Sequence, residues 1–172
     1  METINNLKNT YTGKTAIIIG SGEHKIAIKE ENDIFICLND SIRRYRDKAD
    51  FLVLNHTIYL RDLGFAGENT KIIIDKNKFV EEFKTNSYEN LLRGYNVYYF
   101  DEIIAGHTVL HKAILLTYYI GCINNIKFIG CDGTTQNFAE CDLIRKKVKI
   151  EESIYRKWWD EAMTILKELK GG

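Results

Sequence analysis

A chain of 172 residues that is 45% hydrophobic is long enough for one domain burying roughly 70% of its unfolded surface, and too short for a second full domain. Basic and acidic side chains balance at 24 each, so no net field draws the chain onto nucleic acid or an anionic membrane, and a small-molecule partner is expected. No apolar run reaches the ~20 residues of a membrane span, and METINNLKNTYTGK lacks the apolar core of a signal peptide, so a cytoplasmic location is expected.

In chain order, short apolar runs alternate with stretches of helical length, the pattern of βαβ units around a parallel sheet. Strands are expected at 15–20, 33–39, 50–55, 71–75, 96–100 and 126–132. Most are β-branched and nearly continuous in hydrophobicity, as strands covered on both faces must be. Helices are expected at 23–30, 41–47, 57–63 and 77–92, the last broken near Asn86, and the strongest at 107–120, ending at Gly121. The tail at 151–170 opens on acidic residues and closes on lysines, which suits the helix dipole at both ends. The expected fold is a single-domain α/β, Rossmann-like, mostly parallel sheet of about six strands with helices on both faces. Cys37, Cys122, Cys131 and Cys141 form no CxxC pair, and reduced thiols are expected.

Ligands of such sheets bind beyond the carboxyl ends of the strands, near the switch point. Those positions read Gly20-Ser21-Gly22, Asn39-Asp40, Asn55-His56, Asp75, Asp101 and Cys131-Asp132-Gly133. Gly20 and Gly22 permit a tight turn and close approach of backbone amides to a phosphate or sugar. Lys25 stands where a dinucleotide fingerprint has its third glycine, although Asp40 lies at the spacing of a ribose-binding carboxylate. Asn39 and Asn55 each follow an apolar run, where an amide both donates to and accepts from a base edge or ribose hydroxyls; the alternative role for each is a helix cap. Gly106, His107 and Thr108 open the long helix, whose first N–H groups and positive dipole end suit a phosphate.

His107 and His111 stand four apart, a zinc-compatible spacing without a third ligand, so no metal site is assigned and His111 is expected to be buried. His56 is a candidate acid, base or phosphate partner. His24 is a candidate anion contact, and Asp132 a sugar contact or a turn residue. Tyr118, Tyr119, Trp158 and Trp159 read as packing residues, and the basic run at 145–149 as a solvated loop.

The succession IIIGSG, IFICLND, ADFLVLNH and AGHTVLHKAILLTYYIGCINNIKFIGCDG resembles the small bacterial sialyltransferase family across about residues 14–135, and is similar also to the motility-accessory-factor and hydroxymethylpterin pyrophosphokinase-like group. The resemblance implies a glycosyltransferase with a nucleotide-sugar donor, a glycan or other small acceptor, and no metal or other cofactor. It implies that Gly20, Ser21 and Gly22 face the nucleotide phosphates, that Asn39 and Asn55, with Asp40 beside them, hold the cytidine monophosphate moiety, and that Gly106 and Thr108 contact the nucleotide or donor sugar. The turn reads GSGEH where the family has an Asn-Gly-Pro-Ser type sequence, and Ala105 replaces its serine before the helix. No histidine follows His111, so the family's lid base has no counterpart; His107, His56 and Asp132 are the candidate catalytic residues. Other nucleotide-dependent chemistry, by a hydrolase or a pyrophosphokinase-like enzyme, and noncatalytic nucleotide sequestration remain the alternatives.

Overall fold

The computed structural model describes residues 1–83, 88–100, 108–131 and 152–171. Seven strands, β1 (Glu2–Thr3), β2 (Thr15–Ile19), β3 (Asp33–Leu38), β4 (Phe51–Leu54), β5 (Lys71–Ile74), β6 (Asn96–Tyr99) and β7 (Ile126–Ile129), form one sheet in the order β1-β6-β5-β4-β3-β2-β7. Every pairing is parallel. The five described helices are α1 (Ile42–Tyr45), α2 (Lys76–Phe83), α3 (Tyr88–Leu91), α4 (Val109–Ile120) and α5 (Glu152–Gly171).

Alternation along the strands loads both faces. Ala16, Ile18, Ile34, Ile36, Leu38, Phe51, Val53 and Ile73 pack under α4 and α5, while Ile17, Ile19, Phe35, Cys37, Leu52, Leu54, Ile72 and Ile74 pack under α1, α2 and α3. A parallel sheet with helices on both sides follows from this two-sided burial. α5 closes the first face through Ala162 and an edge-on contact between Trp159 and Phe128, ring centroids 5.0 Å apart. α4 is bounded by Thr108, whose hydroxyl accepts the His111 N–H at 3.4 Å, and by Gly121 at φ 90°, with the Cys122 N–H returning to Thr117 O at 2.8 Å. Thr108→Ala is therefore expected to cost about 1 kcal/mol, measured by urea denaturation; an unchanged midpoint would show that this cap is not used.

The expected Rossmann-like parallel sheet is present with all six expected strands, and a seventh is added at the edge where Glu2–Thr3 pairs with Tyr98–Tyr99, too short to leave a hydrophobic signature. Several expected helices are corrected. Residues 23–30 form no helix: Ile26 and Ile28 are 46% and 82% exposed, so no apolar stripe exists for a helix to bury. That segment is instead tied down by Ala27 N–H to the Tyr45 hydroxyl at 3.0 Å and by a Lys29–Asp50 ion pair of 2.6 Å. The expected helices at 41–47 and 57–63 are mostly tight 3₁₀ turns, at 39–41, 46–48 and 57–65, with α1 as the single α-helical turn between them. The long helix expected at 77–92 is α2 and α3, with 84–87 outside the described residues.

Cys37, Cys122 and Cys131 are free thiols, and burial pushes Cys37 up to about 12 and Cys122 to about 11, which keeps both protonated. Cys141 lies outside the described residues. Among the described residues no helix is long and apolar enough to cross a membrane.

Candidate functional site

The connection from β2 to β3 and those out to β6 run over the α1 face, whereas α4 returns over the opposite face to place β7 beside β2. The switch point therefore lies between β2 and β7. It is closed by backbone: Gly20 N–H donates to Ile129 O and Gly22 N–H to Gly130 O, both at 2.8 Å. A Cβ on Gly20 would stand 2.5 Å from Gly130 O, so the first glycine of the turn is required by its neighbour strand. His24 seals the seam, with Nδ1 2.6 Å from Gly22 O and Nε2 2.8 Å from the Tyr45 hydroxyl. Since Tyr45 accepts from Ala27, its hydroxyl proton is available to Nε2, and Nδ1–H donates to Gly22. Burial, together with the nearby Arg44, holds His24 below the ordinary histidine range against the opposing pull of the Gly22 carbonyl. His24 is a structural clasp in this arrangement.

Moving along the sheet from that seam, the strand ends carry a buried polar row. Ser21 and Asp40, 3% and 1% exposed, are joined by a short hydrogen bond from the serine hydroxyl to the carboxylate. Ser41 fastens β3 to β2, accepting the Leu38 N–H and donating to Ile19 O, each at 2.9 Å. Asn39, at φ 50°, adopts the left-handed conformation that asparagine tolerates better than most residues, and its Oδ1 accepts the Asn55 N–H at 3.2 Å. Neither asparagine occupies an N-cap position: the 3₁₀ turns at 39–41 and 57–65 are capped at Leu38 and His56.

Asn55 Oδ1 in turn accepts a short hydrogen bond from Lys112 Nζ, whose ammonium also pairs with Asp75 Oδ2 at 3.3 Å. Lys112 is completely buried, rising from α4 beneath the strand ends. Burial pushes its pKa below the ordinary lysine value, and Asp75 opposes that shift. Asp75 is fixed on its other oxygen by the Lys78 N–H at 3.2 Å. Both asparagine oxygens are thus taken by donors, and among the described residues neither Nδ2 group donates to the protein, with both asparagines buried at 3% and 5% exposure. The row Asn39–Asn55 offers two amide donors at the carboxyl edge of adjacent strands.

His56 stands next to this row, its side chain 45% exposed, with Nδ1 2.5 Å from Glu82 Oε1 on α2. Glu82 also accepts from the Thr57 N–H at 2.7 Å and its hydroxyl at 2.8 Å. Partial burial would raise the carboxyl, but the Thr57 and His56 hydrogen bonds outweigh it and hold Glu82 below the usual carboxylate range. An ionised Glu82 accepts the Nδ1 proton, which leaves Nε2 as the nitrogen turned away from the pair.

The structure brings together Ser21 with Asp40, and Asn39 with Asn55; His56 follows Asn55 in the chain, and its side chain pairs with Glu82 on α2. It carries Thr108 at the head of α4, and it buries His111 at 3% exposure on that helix. Gly106, His107 and Asp132 lie outside the described residues. Among the described residues no group of three or more His, Cys, Asp or Glu side chains is placed to hold a metal ion. Lys112 and Glu82 are the site residues that strand-end reading misses. Lys112 did leave a signal, as the one charged residue in the otherwise apolar helix VLHKAILLTYYI; Glu82 left none. No family model, curated protein or solved structure matches the chain at a significant level.

Proposed function

We propose that the protein binds a nucleotide along the Asn39–Asn55 row and acts as a sialyltransferase-like glycosyltransferase on a nucleotide-sugar donor. The observation that carries this reading is the pair of amides, Asn39 and Asn55, whose oxygens are held by buried donors at the carboxyl edge and leave their Nδ2 groups as donors, with Ser21–Asp40 and His56–Glu82 on the neighbouring positions. Amide donors suit the acceptor atoms of a base, and Asp40 suits ribose hydroxyls. In the transfer step, His56 Nε2 removes the acceptor hydroxyl proton as that oxygen bonds to the anomeric carbon. The bond from that carbon to the nucleotide phosphate breaks, and its electron pair leaves with the phosphate. The first turn of α4, headed by Thr108, offers N–H groups to the leaving phosphate.

A second reading, nucleotide binding without turnover, is favoured by one observation. Gly20 and Gly22 spend their N–H groups on the carbonyls of Ile129 and Gly130, so the glycine turn has fewer donors with which to stabilise a leaving group.

A thermal-shift panel of nucleotides and nucleotide sugars tests the binding site. A ligand at a hundred times its dissociation constant stabilises by about 2.7 kcal/mol, which corresponds to roughly 5–10 °C in a domain of this size. The wild type is expected to show such a shift and Asn55→Ala to lose most of it. An equal shift in both proteins would remove the nucleotide from this row.

A further inference from the structure

We propose that Lys112 is a positioning residue that locks the Asn55 amide with Nδ2 outward, so that the site recognises a hydrogen-bond-accepting ligand edge and rejects a donating one. This rests on the nucleotide reading for its ligand, but the lock itself is a property of the protein alone. A terminal amide free to rotate half a turn presents either a donor or an acceptor to a ligand and discriminates poorly between them. Asn55 lacks that freedom. Its Oδ1 accepts from Lys112 Nζ, which is completely buried and paired with Asp75 at 3.3 Å, and an ammonium has only donors to offer.

Turning the amide over would set its N–H₂ against a buried ammonium and leave that ammonium short of an acceptor, an arrangement that a low-dielectric site penalises heavily. Asn39 reinforces the polarity, because its Oδ1 is committed to the Asn55 N–H. The strand ends therefore present two fixed donors. Such a pair complements the adjacent N3 and O2 acceptors of cytosine better than the N3–H donor and O2 acceptor of uracil. Discrimination then resides in a residue on α4 that donates to Asn55 from beneath the strand ends.

The probes are CMP and UMP, measured by calorimetry on the full chain. Lys112→Met alone leaves Asp75 buried without its cation, so it is paired with Asp75→Asn, which keeps an oxygen for the Lys78 N–H. Wild type is expected to bind CMP at least ten times more tightly than UMP, and Asp75→Asn/Lys112→Met to bring the two within about threefold while melting cooperatively. A ratio unchanged by the double substitution, or a wild type that prefers UMP, overturns the proposal.

Carbon and nitrogen NMR of the Asn55 side-chain amide without ligand separates the lock from the ligand. A single amide orientation in wild type, with a carbonyl resonance that moves in the double variant, supports the lock even if neither nucleotide binds, in which case the nucleotide reading alone fails. An Asn55 carbonyl resonance indifferent to Lys112 removes the lock whatever the site binds.

Discussion

His56→Ala is expected to lower turnover of a nucleotide-sugar donor by about 100-fold or more while nucleotide affinity stays nearly intact, as befits the loss of a general base. The expectation follows from orientation. Glu82 is itself anchored by both donors of Thr57, so it holds the Nδ1 side of the ring and directs Nε2 away from α2. Glu82→Gln keeps the volume and loses the charge, and a smaller fall in rate with an altered pH profile is expected. His107→Ala is the comparison, since that residue opens the stretch leading into α4 and is the rival base. Donor consumption with and without candidate acceptors, alongside calorimetric affinity, reads all three variants. Equal turnover in wild type and His56→Ala would discard this base and keep the enzyme if His107→Ala fails. No consumption by any protein, with affinity lost only in Asn55→Ala, would establish sequestration.

Gly130→Ala should destabilise the fold by about 3 kcal/mol or more, lowering the melting temperature by roughly 6–12 °C. Gly130 sits at φ 64°, where a side chain already costs about 1–2 kcal/mol. The added Cβ would stand 2.6 Å from His24 Nδ1, 2.7 Å from Gly22 O and 2.9 Å from Gly20 O. Two of those atoms are backbone, so the seam between β2 and β7 must open to admit it. Gly64→Ala meets no atom within 4 Å and should change stability by no more than about 0.5 kcal/mol. Denaturant midpoints that fall equally in the two variants would mean that the seam carries no such constraint.

The strand ends were legible because apolar runs stop abruptly at Asn39 and Asn55, and a parallel sheet puts such positions on one edge. What those residues hold was not legible. Lys112 reaches Asn55 from a helix 57 positions away, and Glu82 meets His56 from 26 positions away, so neither contact leaves a local pattern. Glycine's need for space looks the same in sequence whether a phosphate or a neighbouring strand fills it, and the register of β7 against β2, Ile19 opposite Ile129, puts that strand's end beside Gly20. Residues 23–30 misled for a related reason: charged and apolar types at helical length imitate a helix, while burial falls only partly on Ala27 and leaves Ile26 and Ile28 outside.

The strand order also sets a timetable. β2, β3, β4 and β5 are consecutive in the chain and adjacent in the sheet, so a growing polypeptide pairs them through local crossovers. The pairing of Ala16 with Ile126, and the burial of Asn55 and Asp75 against Lys112, must wait until α4 and β7 have themselves left the ribosome. Until α4 docks, the polar row stays hydrated and its carboxylate unpaired. Docking dehydrates the cation and its partners together, so the polar row takes its final arrangement in the same late event that covers this face of the sheet, with α5 still to close over it.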